Sequence, residues 1–217
     1  MQHGRQECRP SDGTATLLSP MAVTKRYYGS PSGSAPDSSL RLSAKPNWDE
    51  HMFVELKDGR VWMLARTGDG TMQSFSADAG RTWTEPTFPS FKHPVARFHI
   101  RRLASGRILL IKHGKTIDTH EGRSLLTAWL SEDEGQTWKG GLMLDERKGI
   151  SYPDGFQAPE GTLYISYDRN RATDGEILMA RFTEAEVLSG TLSHPNSKLQ
   201  MLISRPLKKK EPKPAKR

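Results

Sequence analysis

Short runs in which apolar and polar residues roughly alternate recur along the middle of this 217-residue chain. Two or three turn-forming residues, including a glycine, separate the runs of each pair. The pairs are His51–Lys57 with Arg60–Arg66, Phe98–Leu103 with Arg107–His113, and Gly155–Ala158 with Thr162–Asp168. Alternation with a period of two is typical of half-buried strands, so the pattern predicts three antiparallel hairpins. The turn glycines, residues 59, 106 and 161, are 47 and 55 residues apart, which indicates a repeated unit.

A helical signal is confined to one short segment, residues 183–188. Thr183 is suited to the N-cap, because its hydroxyl can accept a hydrogen bond from a backbone N–H of the first turn. Glu186 follows three residues later, which is the spacing of a capping box. The sequence therefore predicts a single helical turn in a chain that is otherwise built of strands.

Two eight-residue segments share the pattern S-x-D-x-G-x-T-W and begin 55 residues apart. The pattern suits a hairpin turn, because the Asp carboxylate can accept backbone N–H bonds and Gly can adopt a positive φ. The Trp is expected to pack beneath the turn against the next sheet. The residues that we expect to have these structural roles are Ser76, Asp78, Gly80 and Trp83 in one segment, and Ser131, Asp133, Gly135 and Trp138 in the other.

Both ends of the chain differ from the middle in composition. Nine of the eleven residues in 29–39 are Gly, Pro or Ser, and the last ten residues hold six basic groups and one acidic group. Such segments bury too little apolar surface to offset the entropy of ordering them. We therefore expect a disordered leader or linker over residues 1–45, strand repeats over 46–206, and a basic disordered tail over 207–217. A solvated tail is the expected role of 207–217, with nucleic-acid or membrane binding as the alternative.

Charge and cysteine content narrow the possible functions. Residues 46–207 contain 20 Lys and Arg against 21 Asp and Glu, so the middle lacks the basic face of a nucleic-acid-binding domain. Cys8 is the only cysteine, which excludes a disulfide framework and a cysteine-based zinc site. The longest aliphatic run, Ile108–Ile111, is far too short to span a bilayer. The first thirty residues contain no continuous apolar stretch of the signal-peptide type, and we expect that the natural N-terminus lies further upstream.

The two S-x-D-x-G-x-T-W segments resemble the Asp boxes of sialidases and other BNR-repeat proteins. The resemblance extends over roughly residues 47–206 and is to the later half of a six-bladed sialidase propeller. It implies an all-β fold, a partial propeller of about three four-stranded antiparallel blades. It also implies an exo-acting glycoside hydrolase that removes a terminal sialic acid or related acidic sugar with retention of configuration. Asp boxes lie on the outer rim of such propellers, so they indicate architecture rather than chemistry.

The resemblance also implies a set of site residues. Glu50 and Arg66 match the family's glutamate and one substrate-binding arginine, Arg123 matches a second arginine, and Tyr152 matches the nucleophilic tyrosine. The arginines would bind the sugar carboxylate with bidentate hydrogen bonds. A tyrosine suits attack near that carboxylate better than a second carboxylate does, and Glu50 would take the phenolic proton because free tyrosine has a pKa near ~10.

Each of these residues also has an ordinary structural interpretation. Tyr152 can be a strand-end aromatic residue, Glu50 a solvated carboxylate, and Arg66 and Arg123 partners of surface acids. Arg97 and Arg101 are further candidates for substrate contact at the rim, as are the charged residues within 168–171. Asp154 lies close to Tyr152 in the sequence, but its Pro-Asp-Gly context suits a turn.

Two parts of the family's catalytic set are missing from this chain. The family uses a third arginine and an aspartate general acid on earlier blades, and the leader arginines 5, 9, 26 and 41 follow no strand pattern. We therefore expect an incomplete fragment of a sialidase that is catalytically impaired, with a non-catalytic glycan-binding or structural propeller as the alternative. Histidines 51, 93, 99, 113 and 120 lack the spacing of metal ligands, so no metal or cofactor is expected. The expected partner is a sialoside or other acidic glycan; the sequence leaves the compartment and the oligomeric state open.

Overall fold

The computed structural model describes residues 49–206; the predicted leader, the tail, Cys8 and the leader arginines lie outside this range. Eleven strands and one short helix make up the described chain, which confirms the all-β prediction. The strands are β1 Asp49–Glu55, β2 Val61–Thr67, β3 Gly70–Ser76, β4 His99–Arg102, β5 Ile108–His113, β6 Ser124–Ser131, β7 Lys139–Lys148, β8 Ile150–Gln157, β9 Leu163–Arg169, β10 Glu176–Phe182 and β11 Lys198–Ser204, and the helix is α1 Glu184–Ser189.

The strands form three antiparallel sheets in which sequence neighbours pair with each other. The sheets are β1-β2-β3, β4-β5-β6-β7 and β8-β9-β10-β11. Each begins with one of the three predicted hairpins, closed by the turn glycines 59, 106 and 161, all of which have positive φ. This up-and-down order is that of propeller blades, so the structure confirms a partial propeller.

The first sheet has three strands in the described chain, where four were expected. The segment that would form its fourth strand makes a single bridge, between Gln73 and Thr87. Pro86 and Pro89 flank this bridge, and proline has no N–H to donate to a strand ladder. The edge of the first sheet is therefore paired over one residue only.

Apolar side chains fill the space between adjacent sheets. One buried cluster joins the first and second sheets and includes Trp62, Leu64 and Ile108. The other joins the second and third sheets and includes Leu130 and Ile165. Because each cluster takes residues from two sheets, the sheets fix one another's position, and with it the loops at their ends. None of the helices within residues 49–206 is both long and apolar enough to cross a bilayer.

The two Asp-box turns, residues 76–83 and 131–138, have the same hydrogen bonds. In each, the Ser hydroxyl donates to the Asp at 2.8 Å and accepts from the Gly N–H at 2.8 Å, while the Thr N–H donates to the Asp at 2.8 Å. Hydrogen bonds from Thr82, and then Ser76, lower the pKa of Asp78 to about 2. Burial opposes the same change at Asp133, but bonds from Thr137 and Ser131 outweigh it and lower its pKa to about 2 as well.

The tryptophans of these turns are half-buried, but they pack differently from the prediction. Trp83 lies 5.8 Å from Phe53 of its own sheet. Trp138 lies edge-on to Phe91, with ring centroids 5.9 Å apart, and packs on the cluster between the first and second sheets. The expected contact of Trp138 with the following sheet is therefore wrong, because Phe91 offers an apolar face on the preceding side.

Candidate active site

The predicted catalytic residues lie at the end of the sheets opposite the Asp-box turns. In the first sheet, Asp49 pairs with Arg66, and Val61 pairs with Ser76 at the other end. Glu50 and Arg66 therefore lie far along the strands from the turn that begins at Ser76. In the third sheet, Tyr152 lies near the start of β8, away from the glycine turn that follows this strand.

Glu50, Arg66 and Tyr152 form one connected group. The Arg66 Nη1 donates to Glu50 Oε2 at 2.5 Å, and the Tyr152 hydroxyl lies close enough to the same carboxylate to lower its pKa. Partial burial would raise the pKa of Glu50, but the bonds from Tyr152 and Arg66, with the charges of Arg66 and Arg97, outweigh it. The pKa of Glu50 therefore lies below its usual value, so the carboxylate is ionised near neutral pH beside the Tyr152 phenol.

Both Glu50 and Tyr152 occupy irregular backbone. Their φ angles are 62° and 53°, in the left-handed region that side-chain-bearing residues rarely adopt. Each lies where the register of its strand pair shifts, between residues 49 and 52 in β1 and between 151 and 154 in β8. Such bulges redirect a side chain out of the regular alternation of a strand. Here they coincide with the two side chains that hydrogen-bond each other across the first and third sheets.

Arg123 lies beside this group rather than within it. It directly precedes β6, and its Nη1 donates to the Ser151 hydroxyl, one residue before Tyr152. Its Nη2 donates to the Val95 carbonyl oxygen at 3.5 Å. The guanidinium is therefore held close to the start of β8, with Ser151 between it and the tyrosine.

Arg101, in β4, and Arg97, in the loop just before β4, both reach β8. Arg97 Nη2 donates to Asp154 at 3.2 Å, and its charge contributes to the lowered pKa of Glu50. Arg101 donates to the Gly155 carbonyl oxygen at 3.3 Å, further along the strand. The structure thus brings Arg97 next to the Glu50 group and leaves Arg101 outside it.

Asp154 lies in strand β8, so the expected turn at its Pro-Asp-Gly sequence is wrong. The bulge after Ser151 accommodates the sequence without ending the strand. The close approach of His99, whose Nδ1 lies 3.3 Å from the carboxylate, is the chief cause that lowers the pKa of Asp154 to about 2, and the charge of Arg97 contributes. Asp154 is therefore ionised at any pH near neutrality.

Sequence reasoning missed one contact of Tyr152. The guanidinium carbon of Arg171 lies 4.0 Å from the centroid of the tyrosine ring. Arg171 belongs to the turn between β9 and β10 and was expected only as one of several charges at the rim. No sequence motif predicts the contact of Arg171 with Tyr152, because it depends on how that turn folds back over β8.

The histidines make a buried structural pair rather than a metal site. The His113 Nδ1 lies 3.2 Å from His93 Nε2, and His113 Nε2 lies 3.1 Å from the Ile150 carbonyl oxygen. Burial lowers the pKa of both, that of His113 to about 4, so both rings are neutral near pH 7. His93 also lines a cavity of about 570 Å³ to which the six candidate site residues do not contribute. Across residues 49–206, no cluster of three His, Cys, Asp or Glu side chains could hold a metal ion.

Comparison with known proteins places the fold. Residues 36–165, more than half of the chain, match the BNR repeat-like domain. The intramolecular trans-sialidase from Ruminococcus gnavus, solved with oseltamivir carboxylate, is a structural neighbour with a TM-score of 0.51 and 21% identity over 64% of this chain and 33% of that one. A protein of unknown function from Dyadobacter fermentans gives a TM-score of 0.50 and 16% identity over 70% of this chain and 51% of that one.

The extent of these matches limits what they show. The chain spans about a third of the length of the trans-sialidase and about half of the Dyadobacter protein. No curated protein matches it. Identities this low establish the fold alone, and the family follows from the domain match. The chain belongs to the BNR repeat-like domain family, and over the matched part it shares the fold of the trans-sialidase.

Proposed function

We propose that this chain carries the nucleophile, the base and two carboxylate-binding arginines of a retaining exo-sialidase site. The observation that supports the proposal is the contact of Tyr152 with Glu50, which is itself paired with Arg66. A tyrosine that donates its phenolic proton to an ionised carboxylate is prepared to act as a nucleophile. The second arginine, Arg123, is held close by through the Ser151 hydroxyl, and guanidinium groups suit a substrate that carries a carboxylate.

The proposed reaction proceeds in two steps. Glu50 accepts the phenolic proton as the Tyr152 oxygen bonds to the anomeric carbon and the bond from that carbon to the leaving oxygen breaks. The leaving oxygen takes a proton from a general acid. Water then attacks the anomeric carbon, gives a proton to the conjugate base of that acid, and displaces the tyrosine oxygen, to which Glu50 returns its proton. Two displacements at the same carbon give net retention of configuration.

The arginines are assigned to the carboxylate of the sugar. Arg66 Nη1 lies 2.5 Å from Glu50 Oε2, so the same guanidinium can keep the base ionised and face the substrate. Arg123 approaches from the other side, held by the Ser151 hydroxyl. Guanidinium groups bind carboxylates with charge-assisted hydrogen bonds that fix orientation as well as charge.

The general acid is the missing part of this assignment. Asp154 is the carboxyl nearest to Tyr152 in sequence, but its pKa of about 2 leaves it without a proton to give near neutral pH. We assign the acid to a part of the parent protein that this chain does not span, and we expect the chain alone to be impaired. The low pKa of Asp154 also favours a second candidate function, a sialoside-binding module without hydrolysis.

Binding and turnover of sialosides by the 217-residue chain test both proposals. Binding of an α-methyl sialoside is measured by NMR titration of the protein, and turnover with a fluorogenic sialoside. Arg66→Met should weaken binding about 10- to 150-fold, the loss of one charge-assisted contact. Arg205→Ala is the matched control, because Arg205 is an exposed arginine of the third sheet that pairs with Glu176 and not with the candidate site.

Three outcomes separate the possibilities. Binding that depends on Arg66, with trace turnover that Tyr152→Phe abolishes, supports the sialidase assignment. Such binding without any turnover, including in a protein extended by upstream blades that supply an acid, favours the binding module. General acid catalysis typically contributes about 10²–10⁴ in rate, so the extended protein should gain by that order if it is an enzyme. A chain that binds no sialoside contradicts both proposals.

A further inference from the structure

The turn between β9 and β10 is a defined structure docked on the residue before β8. The N–H groups of Thr173 and Gly175 both donate to the Asn170 carbonyl oxygen at 2.9 Å. The Asn170 N–H donates to the Gly149 carbonyl oxygen at 2.9 Å. A Cβ at residue 149 would lie 2.0 Å from the Asn170 side chain, so only glycine permits this approach. The turn is thereby fixed relative to the strand that carries Tyr152.

This turn places Arg171 on the face of the Tyr152 ring. The guanidinium carbon is 4.0 Å from the ring centroid, within the range of a cation–π contact. Asp168 holds the guanidinium from the other side, accepting hydrogen bonds from Arg171 Nε at 2.9 Å and from Nη2. Asp168 in turn pairs through its backbone with Ser151, the neighbour of Tyr152. Asp168, which holds Arg171, and Tyr152 therefore lie close together on two paired strands, β9 and β8.

We infer that Arg171 is a positioning residue for Tyr152: it stacks on the ring and keeps the phenol directed at Glu50. The inference rests on the proposed function in that Tyr152 is there the nucleophile. Tyr152 is half-buried and lies in a bulge with positive φ, so part of its side chain is open to solvent rather than packed in the core. Glu50 holds the hydroxyl end and Arg171 the face, which together fix the direction of the phenolic oxygen.

The charges around the pair agree with this arrangement. The Asp168 carboxylate, and then the contact with Tyr152, raise the pKa of Arg171, so it remains a cation at all relevant pH. Arg66 and Arg97 act on Glu50 from the first and second sheets. A cation over the ring also favours negative charge on the phenolic oxygen, which develops as Glu50 takes the proton. Misplacing a reacting group by about 1 Å can cost roughly 100-fold in rate. A residue that restrains the Tyr152 ring can therefore have a large effect on the rate.

The titration of Glu50 tests the inference without substrate. The full chain is labelled with ¹³C at glutamate side chains, and the Glu50 signal is assigned from Glu50→Gln. Tyr152→Phe removes the hydroxyl but keeps the ring, and should raise the pKa of Glu50 because a hydrogen bond that lowers it is lost. Arg171→Ala should reproduce at least half of this rise, because a ring that is no longer stacked leaves Glu50 for part of the time.

The double variant shows whether Arg171 affects the pKa of Glu50 by positioning Tyr152 or by its own charge. With Tyr152→Phe already present, Arg171→Ala should change the pKa of Glu50 no further, since there is no hydroxyl left to position. Arg171→Lys, a point charge without a planar face, should rescue only part of the effect. Arg205→Ala is the control, because its side chain is 60% exposed against 58% for Arg171 and it lies on the same sheet. Should Arg171→Ala unfold, Arg171→Met keeps the aliphatic stem and gives the same comparison.

The outcomes are separable from those of the proposed function. No rise with Arg171→Ala, or a rise that persists in the Tyr152→Phe background, overturns the positioning role. Coupling between Arg171 and Tyr152 in a chain that neither binds nor cleaves sialosides leaves the positioning of Tyr152 standing and refutes its proposed use in a sialidase.

Discussion

Replacement of Glu186 by glutamine is expected to lower the free energy of unfolding more than the same kind of replacement at any exposed Asp or Glu. Glu186 lies in α1 with no exposed surface. Its carboxylate accepts from the N–H groups of Ser193 and His194 at 2.7 Å each, from the Ser197 hydroxyl at 2.6 Å and from the Thr183 N–H at 2.9 Å. Glu186 lies in the connection between β10 and β11, which corresponds to the Asp-box turns of the other two sheets. Like the Asp of those turns, its carboxylate accepts hydrogen bonds from backbone N–H and hydroxyl groups of the connection.

The magnitude follows from the pKa of the group. Burial would raise the pKa of Glu186, but the bonds from Ser197, His194, Ser193 and Thr183 outweigh it and lower the pKa from 4.5 to about 2. That difference corresponds to about 3 kcal/mol of stability. The residues that cover the carboxylate, 191–196, are themselves exposed, so solvent screening reduces the effect to about 2 kcal/mol. Because the folded-state pKa is lowered, this stability is fully present above pH 4.5 and is lost as the pH falls towards 2.

Urea unfolding of the native chain and Glu186→Gln at pH 7 and pH 3 measures both parts. At pH 7 the variant should be about 2–4 kcal/mol less stable, since an amide NH₂ must face backbone donors that a carboxylate accepts. At pH 3 the difference should shrink, because the native carboxylate has lost part of its advantage. Glu160→Gln, in the exposed turn between β8 and β9, is the control and should change little. Equal differences at the two pH values would show that the charge of Glu186 does not contribute, and would refute the argument.

Three substitutions test the Asp-box turns by urea unfolding. Trp138→Ala should cost about 1–3 kcal/mol, below the 3–5 typical of a fully buried aromatic, because the indole is half-buried against Phe91; a change near zero would contradict this packing. Gly135→Ala should destabilise more than Gly80→Ala by about 1–3 kcal/mol. Both glycines have φ near +84° in matching turns, 83° and 85°, but an added Cβ lies 2.5 Å from the Trp62 ring at residue 135 and no closer than 3.7 Å to its neighbours at residue 80. Equal losses at the two glycines would show that the contact with Trp62 relaxes freely.

Local chemistry was enough to predict the three hairpins and the short helix. The alternation of the six runs and the glycines between them correctly predicted β1 with β2, β4 with β5 and β8 with β9. The Thr183 and Glu186 pair predicted the capping box at the start of α1, which the structure confirms. These signals depend on neighbouring residues and on turn geometry, which a sequence displays directly.

What the sequence did not reveal depends on contacts between distant segments. The missing fourth strand of the first sheet could have been suspected from Pro86 and Pro89, since proline interrupts a ladder. The side on which Trp138 packs depends on Phe91, and the strand conformation of Asp154 depends on a bulge that pairs with β9. The stacking of Arg171 on Tyr152 depends on a turn that lies far away along the chain. Apart from the two prolines, none of these features has a local signature.

The repeat itself contains the information that single motifs lack. Glu50, Arg97 and Tyr152 each lie nine residues before the turn glycine of their hairpin, at 59, 106 and 161. His99 and Asp154, which approach each other to 3.3 Å, each lie seven residues before it. Equal offsets become neighbours because the innermost strands of successive sheets run side by side, so one position per repeat can supply a carboxylate, a guanidinium and a phenol to the same place. Aligning the repeats on their turn glycines therefore points to the candidate site, and it makes Arg97 a member of that site on the same grounds as Glu50 and Tyr152.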